Sequence, residues 1–282
     1  MGNGGRGFRM YVPVLKTKAG ECWAVANLPH DAAQNITPLF EIHPHKVKDG
    51  VLHAEDVCDA IASVWGTERA FYLDTVWLHG AAGDLTVLGG VFETAREFGL
   101  QAMPVVRPCY DDASLDVLCD ILAEDGRGYL LRVGVDALVA ADAIDMVVGH
   151  IGVARADVDF LLDYRQHSMS LAADVPRVPH LGGWRRFIAG SGTFPRSLSQ
   201  LPLDEWHLVP RHDWNSWVAG AAVARRPEFC DYVIRDPGPP AAGGEPSANL
   251  RYTRSDAWNV RVGRKLKHGF ASDMFEICQS LV

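Results

Sequence analysis

Short apolar runs with strong β propensity recur along the chain and alternate with segments of amphipathic, helical pattern. Eight such runs predict strands at residues 10–16, 36–42, 70–76, 101–108, 128–135, 158–165, 185–191 and 205–212. Helical patterns fill most of the intervals, at residues 21–34, 54–65, 85–98, 114–124, 140–153 and 214–225. The chain therefore shows a regular alternation of strand and helix from its first strand to residue 225.

The strand runs are almost continuously apolar, which is typical of a parallel sheet covered by helices. Eight β–α units favour a closed (β/α)8 TIM-type barrel over an open doubly wound sheet. A Rossmann fold would need a G-x-G-x-x-G turn after the first strand, where the chain has LKTKAGE instead. We therefore predict a barrel domain over residues 1–227.

Residues 228–282 follow a different pattern. A Pro/Gly-rich loop, DPGPPAAGGEPS at 236–247, precedes two short strand-like runs, NLRYTR and WNVRVGRKL, and a final helix-like segment. A tail of this size that contains such a loop makes a poor core alone. We therefore predict a C-terminal extension of a β-hairpin and a helix, packed on the barrel.

Composition narrows the class of protein but selects no function. The 282 residues are 48% hydrophobic and 22% charged, as in an ordinary globular protein, and a net charge of −8 argues against a general nucleic-acid coat. The six cysteines form no CxxC pair, so free thiols in a reducing cytoplasm are expected. No signal-peptide core or membrane-length apolar run occurs, so a cytoplasmic protein without membrane contact is expected.

Charged residues end seven of the eight predicted strands. In a (β/α)8 barrel the C-terminal ends of the strands surround one mouth, where their last polar residues meet. Those residues are Lys16, Glu41, Asp74, Arg107, Arg132, Asp163, Ser191 and Arg211. A solvated rim charge or a helix cap explains any one of them equally well, but a ring of charges after apolar strands predicts a polar pocket.

The four cations of this ring suggest a site for an anionic ligand, such as a phosphorylated compound or a nucleotide. Its three arginines would bind the anion through forked hydrogen bonds. Lys16 and the carboxylates Glu41, Asp74 and Asp163 are candidate catalytic residues. The three carboxylates could instead bind Mg²⁺ or neutralise the arginines, and the sequence leaves these roles open.

The small-residue segment GSGTFP, at 190–195, follows the seventh predicted strand. The turns after strands seven and eight of such barrels often bind phosphate through backbone N–H groups. Ser191, Gly192 and Thr193 are therefore candidate phosphate ligands. A tight turn before a helix is an equally good interpretation, because a G-x-G alone is a weak signal.

Two histidine motifs carry less weight. His43 and His45 have the H-x-H spacing of some metal sites, but later strand ends offer few further histidines, so zinc is not favoured. His212 and Asp213 form either an acid/base pair or the cap of the following helix.

The segment 251–267 is rich in Arg and Lys and contains Tyr252 and Trp258. Such a segment can bind a nucleic-acid backbone, but a hairpin whose exposed edge is protected by charge is favoured. Arg251 and Tyr252 would join the ligand site if this hairpin folds over the barrel mouth.

Several short motifs occur together in one order and spacing. They are MYVPVLKTKAGE at 10–21, ITPLFEI at 36–42, Asp74, GSGTFP at 190–195, RHDW at 211–214, CDYVIRDP at 230–237 and ANLRYT at 248–253. With these motifs the chain resembles the beta protein family of bacteria and phages over nearly its whole length. The family pattern usually has a glycine after the Asp-Tyr pair, where this chain has Val233.

The resemblance implies a phage-related or anti-phage defence setting, with a protein partner encoded by a neighbouring gene. It also gives added weight to residues inside the motifs: Lys16, Glu21, Glu41, Asp74, Ser191, Arg211, Arg251 and Tyr252. Two functions then fit the sequence. One is a barrel enzyme acting on an anionic ligand, with phosphoester hydrolysis as its reaction. The other is a non-catalytic ligand sensor or interaction module.

Overall fold

The computed structural model describes residues 10–48, 51–78, 85–238, 247–268 and 270–280. These residues form thirteen strands in chain order: β1 Tyr11–Lys16, β2 Leu39–Glu41, β3 Val47–Lys48, β4 Val51–Leu52, β5 Phe71–Asp74, β6 Ala102–Val106, β7 Tyr129–Gly134, β8 Val158–Asp163, β9 Arg186–Ser191, β10 Trp206–Pro210, β11 Glu228–Asp231, β12 Ser247–Thr253 and β13 Ala257–Lys265. Residues 239–246 of the predicted Pro/Gly-rich loop lie outside the described residues.

Eight of these strands close into a barrel, in the order β1-β11-β9-β8-β7-β6-β5-β2, and β2 pairs again with β1. All pairs in the barrel are parallel. The strands are buried along most of their length, as the continuous apolar runs predict. The predicted (β/α)8 TIM-type barrel is confirmed.

Helices cover the outside of the barrel between successive strands. The α-helices of the described residues are α1 Ala19–Ala26, α2 His30–Gln34, α3 Ala54–Trp65, α4 Leu85–Glu97, α5 Asp112–Asp125, α6 Ala141–Ile151, α7 Leu171–Asp174, α8 His212–Ala219 and α9 Phe270–Gln279. Helix α5 shows how local sequence sets their ends. Asp111 caps its first turn by accepting the N–H of Ser114 at 3.0 Å, and Gly126 ends it in the left-handed region. None of the described helices has both the length and the apolar character needed to cross a membrane.

Alternate residues of each barrel strand point inward and outward. The inward apolar residues form a separate core inside the barrel, made of Val12, Val14, Leu39, Tyr72, Met103, Val105, Leu130, Leu161, Ile188, Cys230 and Tyr232. The outward residues pack against the helices in a larger core. Because the side-chain period is two, a residue two positions beyond the last inward apolar residue also points inward, at the C-terminal mouth.

The eighth barrel strand is β11, and the prediction that residues 205–212 fill this place is wrong. Residues Trp206–Pro210 form β10, which pairs antiparallel with β13 outside the barrel. Its residues alternate between exposed and partly buried, whereas Phe229, Cys230 and Asp231 of β11 are buried between β9 and β1. The barrel therefore continues past the predicted division at residues 227 and 228, and part of the first segment belongs to the outer sheet.

The C-terminal part of the chain adds the predicted hairpin and helix. Strands β12 and β13 pair antiparallel and α9 packs on both of them, while β10 adds a third strand to this sheet. Trp258, Val260 and Val262 of β13 bury their side chains together with Phe194, which follows β9. This small core joins the extension to the barrel.

Candidate functional site

The barrel mouth collects six of the predicted side chains. They are Lys16, Glu41, Asp74, Arg107, Arg132 and Asp163, which stand at inward positions at or near the C-terminal ends of six strands. All except Arg107 are at least nine-tenths buried, and 11% of the Arg107 side chain is exposed. Burial of this many charges requires partners within the mouth.

Arg132 is the centre of the mouth. Its guanidinium donates to Glu41 Oε1 at 2.9 Å, to Asp74 Oδ2 at 2.7 Å and to Asp163 Oδ2 at 2.9 Å. It also donates to the hydroxyl of Tyr232, which hydrogen-bonds Asp163 at 2.7 Å. One arginine therefore joins three carboxylates from three different strands.

Asp74 binds a second arginine. Arg107 donates to both of its carboxylate oxygens, at 2.8 and 2.7 Å, in the forked geometry that arginine favours. Burial alone would raise the pKa of Asp74, but the nearby Arg107 and Arg132 outweigh it and lower that pKa to about 2. Arg132 likewise overcomes burial at Asp163 and lowers its pKa. Both carboxyls are ionised at neutral pH.

Lys16 and Trp77 form the opposite side of the mouth. The Lys16 ammonium donates to the carbonyl of Gly238 at 3.0 Å and lies 5.5 Å from the centre of the Trp77 ring. The indole N–H of Trp77 donates to Glu41 at 2.7 Å. Burial lowers the pKa of Lys16. Arg165 lies 5.9 Å from the same ring, so two cations flank Trp77.

Strand-end aspartates also shape the loops around the mouth. Asp74, Asp163 and Asp231 each accept the backbone N–H two residues further on, at 2.8 to 2.9 Å. In two of these turns the residue that donates has a left-handed backbone, with φ of 50° at Arg165 and 57° at Val233. Both residues are non-glycine, so the turns hold them in an unfavourable conformation.

The three mouth carboxylates do not fit a magnesium site. The guanidinium of Arg132 stands among them and hydrogen-bonds all three, in the position that a shared cation would take. Within the part of the chain that the structure describes, no group of three or more His, Cys, Asp or Glu side chains could hold a metal ion. The arrangement is instead the neutralised network that the sequence left open.

A family model described as "Beta protein" matches residues 11–282, nearly the whole chain. The chain belongs to the beta protein family. The resemblance inferred from its motifs is thereby confirmed. A search of curated proteins finds no match, so the family assignment brings no substrate or reaction with it.

In this member of the beta protein family, three hydrogen-bond donors of the GSGTFP loop are engaged within the protein. The Ser191 hydroxyl points away from the barrel interior and donates to the carbonyl of His167 at 2.5 Å. The N–H of Gly192 donates to the carbonyl of Arg165 at 2.6 Å. The Thr193 hydroxyl donates to Asp213 Oδ1 at 3.3 Å and accepts the Asp213 N–H, at the start of α8. These contacts match the turn interpretation of the segment, but the helix expected directly after it does not form, since the next element of the chain is β10.

The glycines of this loop serve close packing. A Cβ on Gly192 would lie 2.7 Å from a ring carbon of Tyr232 and 2.6 Å from Pro237. A Cβ on Gly190 would lie 2.8 Å from the sulfur of Cys230. Strands β9 and β11 can approach each other here only because these residues have no side chain.

Arg211 does not end a barrel strand and lies outside the barrel wall. It precedes α8, and its guanidinium donates to Asp231 Oδ2 at 3.1 Å. Asp231 is an outward residue of β11, so the barrel wall separates this pair from the mouth. The prediction that Arg211 closes the ring as the last residue of the eighth strand is wrong, because the eighth strand is β11.

Arg251 and Tyr252 lie on β12, and only Arg251 contacts the loop that follows the eighth barrel strand. Its guanidinium donates to the carbonyl of Ile234 at 2.7 Å and lies 4.6 Å from the Phe194 ring centre. Burial, with a contribution from nearby Arg235, lowers the pKa of Arg251 to about 10. Tyr252 is exposed on the surface.

Four residues that complete these sites were not predicted from the sequence: Trp77, Arg165, Asp231 and Tyr232. Asp231 and Tyr232 lie inside the CDYVIRDP motif, but their place at the end of a barrel strand was not predicted because the eighth strand was assigned to residues 205–212. Arg165 follows Asp163 by two residues, a spacing that could have marked it. The side chain of His45, from the predicted H-x-H pair, lies outside what the structure describes.

Proposed function

We propose that the protein binds an anionic small molecule, of the phosphorylated or nucleotide-like class, at the mouth of the barrel. The observation that supports this proposal is an excess of positive charge. Lys16, Arg107, Arg132 and Arg165 stand against the three carboxylates Glu41, Asp74 and Asp163, and the nearby Glu21 is balanced by its own ion pair with Arg235. Among the described residues Arg165 has no ion-pair partner within 4.0 Å. An anion that entered the mouth would restore the balance of charge.

Lys16 supplies further donors for such a ligand. An ammonium group has three N–H donors, and one of them is directed to the carbonyl of Gly238. Lys16 and Arg165 flank the Trp77 ring, so a phosphate group held near that ring would meet both cations. Lys16 is buried, and the lower effective dielectric constant there would strengthen its attraction to the charge of a bound anion.

The geometry favours a binding function over hydrolysis. Asp74 and Asp163 have pKa values below their ordinary range, so they cannot donate a proton to a leaving group at neutral pH. Each also hydrogen-bonds Arg132, which ties its oxygens to the protein. A non-catalytic ligand sensor therefore fits the mouth better than a phosphoester hydrolase.

Isothermal titration calorimetry of the full chain tests the proposal, with inorganic phosphate and nucleoside monophosphates as ligands. The variant Arg165→Gln should bind at least about tenfold more weakly, because it loses a charge-assisted hydrogen bond. Arg155→Gln is the matched control. It removes the same charge beside β8 at the other end of the barrel, where Arg155 pairs with the partly exposed Asp145, and should bind like the wild type.

Two outcomes would overturn this proposal in different ways. If no anion of the panel binds, or if both arginine variants bind like the wild type, the mouth is not an anion site. If the wild type releases phosphate from a phosphomonoester and Asp74→Asn abolishes the release, the protein is a hydrolase and the sensor interpretation fails.

A further inference from the structure

A cavity of about 450 Å³ lies outside the barrel wall, between β11, α8 and the antiparallel sheet of the C-terminal region. Its walls are mainly aromatic and include Tyr11, Trp214, Trp217, Phe229 and Trp258. Trp214 and Trp217 are stacked with their ring centres 5.2 Å apart, and Trp214 is only partly buried. The volume and the apolar walls are typical of a small-molecule site.

Two charged side chains enter this aromatic cavity, and Thr253 and the Tyr11 hydroxyl add polar groups to its lining. Arg211 is 9% exposed, and its Nε–H has no hydrogen-bond partner in the described part of the chain. Asp231 lies beside it and accepts the Tyr11 hydroxyl at 2.5 Å and an Arg211 N–H at 3.1 Å. A buried donor without a partner costs stability, and an acceptor on a ligand would satisfy it.

The charges of the cavity restrict what it can hold. The Arg211 guanidinium lies 5.6 Å from the ring centres of both Trp214 and Trp258, so the aromatic faces already carry a cation. A quaternary ammonium ligand would be repelled by Arg211. An aromatic carboxylate would satisfy Arg211 but would face the carboxyl group of Asp231.

We propose that this cavity binds an uncharged planar heteroaromatic ring of the nucleobase class. The ring would stack on Trp214, place an acceptor atom against the Nε–H of Arg211 and donate an N–H to Asp231. Nucleobase edges carry a donor and an acceptor side by side, and aromatic side chains stack on any base.

This site is separate from the barrel mouth and does not rest on the function proposed for it. Neighbouring residues of one strand face the two sites, because Asp231 points outward while Cys230 and the following Tyr232 belong to the core inside the barrel. Binding at one site can therefore be measured in variants of the other.

Calorimetric titration with adenosine, cytidine and other free nucleosides tests the inference, since nucleosides carry no phosphate for the mouth. We expect saturable binding at millimolar or lower concentration, weakened at least tenfold in Trp214→Ala and also weakened in Arg211→Lys, which keeps the charge but removes the Nε–H. The control Trp23→Ala, at a tryptophan that is 69% exposed on α1, should bind like the wild type. Arg165→Gln should also bind nucleosides normally.

Several results would overturn the inference. One is the absence of nucleoside binding at millimolar concentration, and another is equal binding by Trp214→Ala and the wild type. Preferential binding of choline or phenylacetate would assign the cavity to a cation or an aromatic carboxylate instead. If Trp214→Ala does not fold, Trp214→Leu and Arg211→Lys decide the question through the same titration.

Discussion

Replacing Arg132 with methionine tests whether the charge network of the mouth is a structural unit. The guanidinium donates to three carboxylates at 2.7 to 2.9 Å, and none of these three residues is more than 3% exposed. Methionine keeps much of the side-chain length but carries no charge. The variant therefore leaves the buried carboxylates in place and removes the group that joins them.

The expected loss follows from the partners that remain. Asp74 keeps both hydrogen bonds to Arg107. Asp163 loses its only ion-pair partner among the described residues, and Glu41 loses its ion pair with the Arg132 guanidinium. Removing one partner of a buried pair costs about 3–5 kcal/mol. A domain of ordinary stability has about 5–15 kcal/mol in total. By these figures Arg132→Met should lose at least about a fifth of the free energy of unfolding. Arg132→Lys, which keeps the charge, should lose less.

Urea unfolding followed by circular dichroism at several pH values measures this loss. In the wild type the pKa of Asp163 lies below its unfolded value, so its contribution is present at neutral pH and is lost as the pH falls through the folded pKa. Without Arg132, burial raises that pKa above the unfolded value, and the variant loses stability as the pH rises from about 4. The difference between variant and wild type should grow from pH 4 to pH 7.

Arg155→Met is the control for this experiment, because it breaks a partly exposed surface ion pair with Asp145, of a kind worth about 1 kcal/mol or less. A loss of less than about 1 kcal/mol in Arg132→Met, or a difference that does not change with pH, would refute the argument. If Arg132→Met does not fold at neutral pH, the same protein should recover structure at pH 4.

Two further changes test the outer site and the loop after β9. Burial raises the pKa of Asp231 to about 6, so ionisation of Asp231 lowers the stability of the fold by about 3 kcal/mol as the pH rises from about 4 to 6. Asp231→Asn should remove this decline from a profile of thermal unfolding against pH. An unchanged slope of the profile would contradict this. Gly192→Ala should lower stability by about 1–3 kcal/mol, because its Cβ meets the Tyr232 ring at 2.7 Å. Gly20→Ala, in open space on α1, should be neutral or stabilising by up to about 1 kcal/mol in the same urea titration, and equal losses in both variants would refute the packing argument.

The inward residues of the mouth could be predicted because strand period and burial leave little choice. Glu41, Asp74, Arg132 and Asp163 each stand two residues after an apolar residue of the inner core. When a charged residue follows an inward apolar residue at this spacing, its side chain is expected to point inward too, whichever strand lies beside it. Ser191 stands three residues, not two, after the inner-core residue Ile188, so its side chain points outward.

The eighth strand could not be predicted from the same signals. Residues Trp206–Pro210 have high β propensity and follow the seventh strand, but their partner is β13, about fifty residues further along the chain. Residues Glu228–Asp231 form a strand of only four residues and so give a weaker strand signal in the sequence. They occupy the eighth position of the barrel because they pair with β1 and β9. Strand pairing between distant segments is decided by packing, which local propensity does not record.

The network in the mouth also fixes the loops that surround it, and this connects the fold to ligand binding. Asp163 holds the turn at Arg165 through a backbone hydrogen bond, and Tyr232 ties the end of the eighth strand to Asp163. The turn that follows Tyr232 places Val233 at a φ of 57°, in the left-handed region. Because these loops are constrained in the folded chain, Lys16 and Arg165 are held near Trp77 before any ligand arrives. An anion would then bind without the entropic cost of ordering these two protein cations. Under that condition even a small number of charged groups can give a useful affinity for the anion.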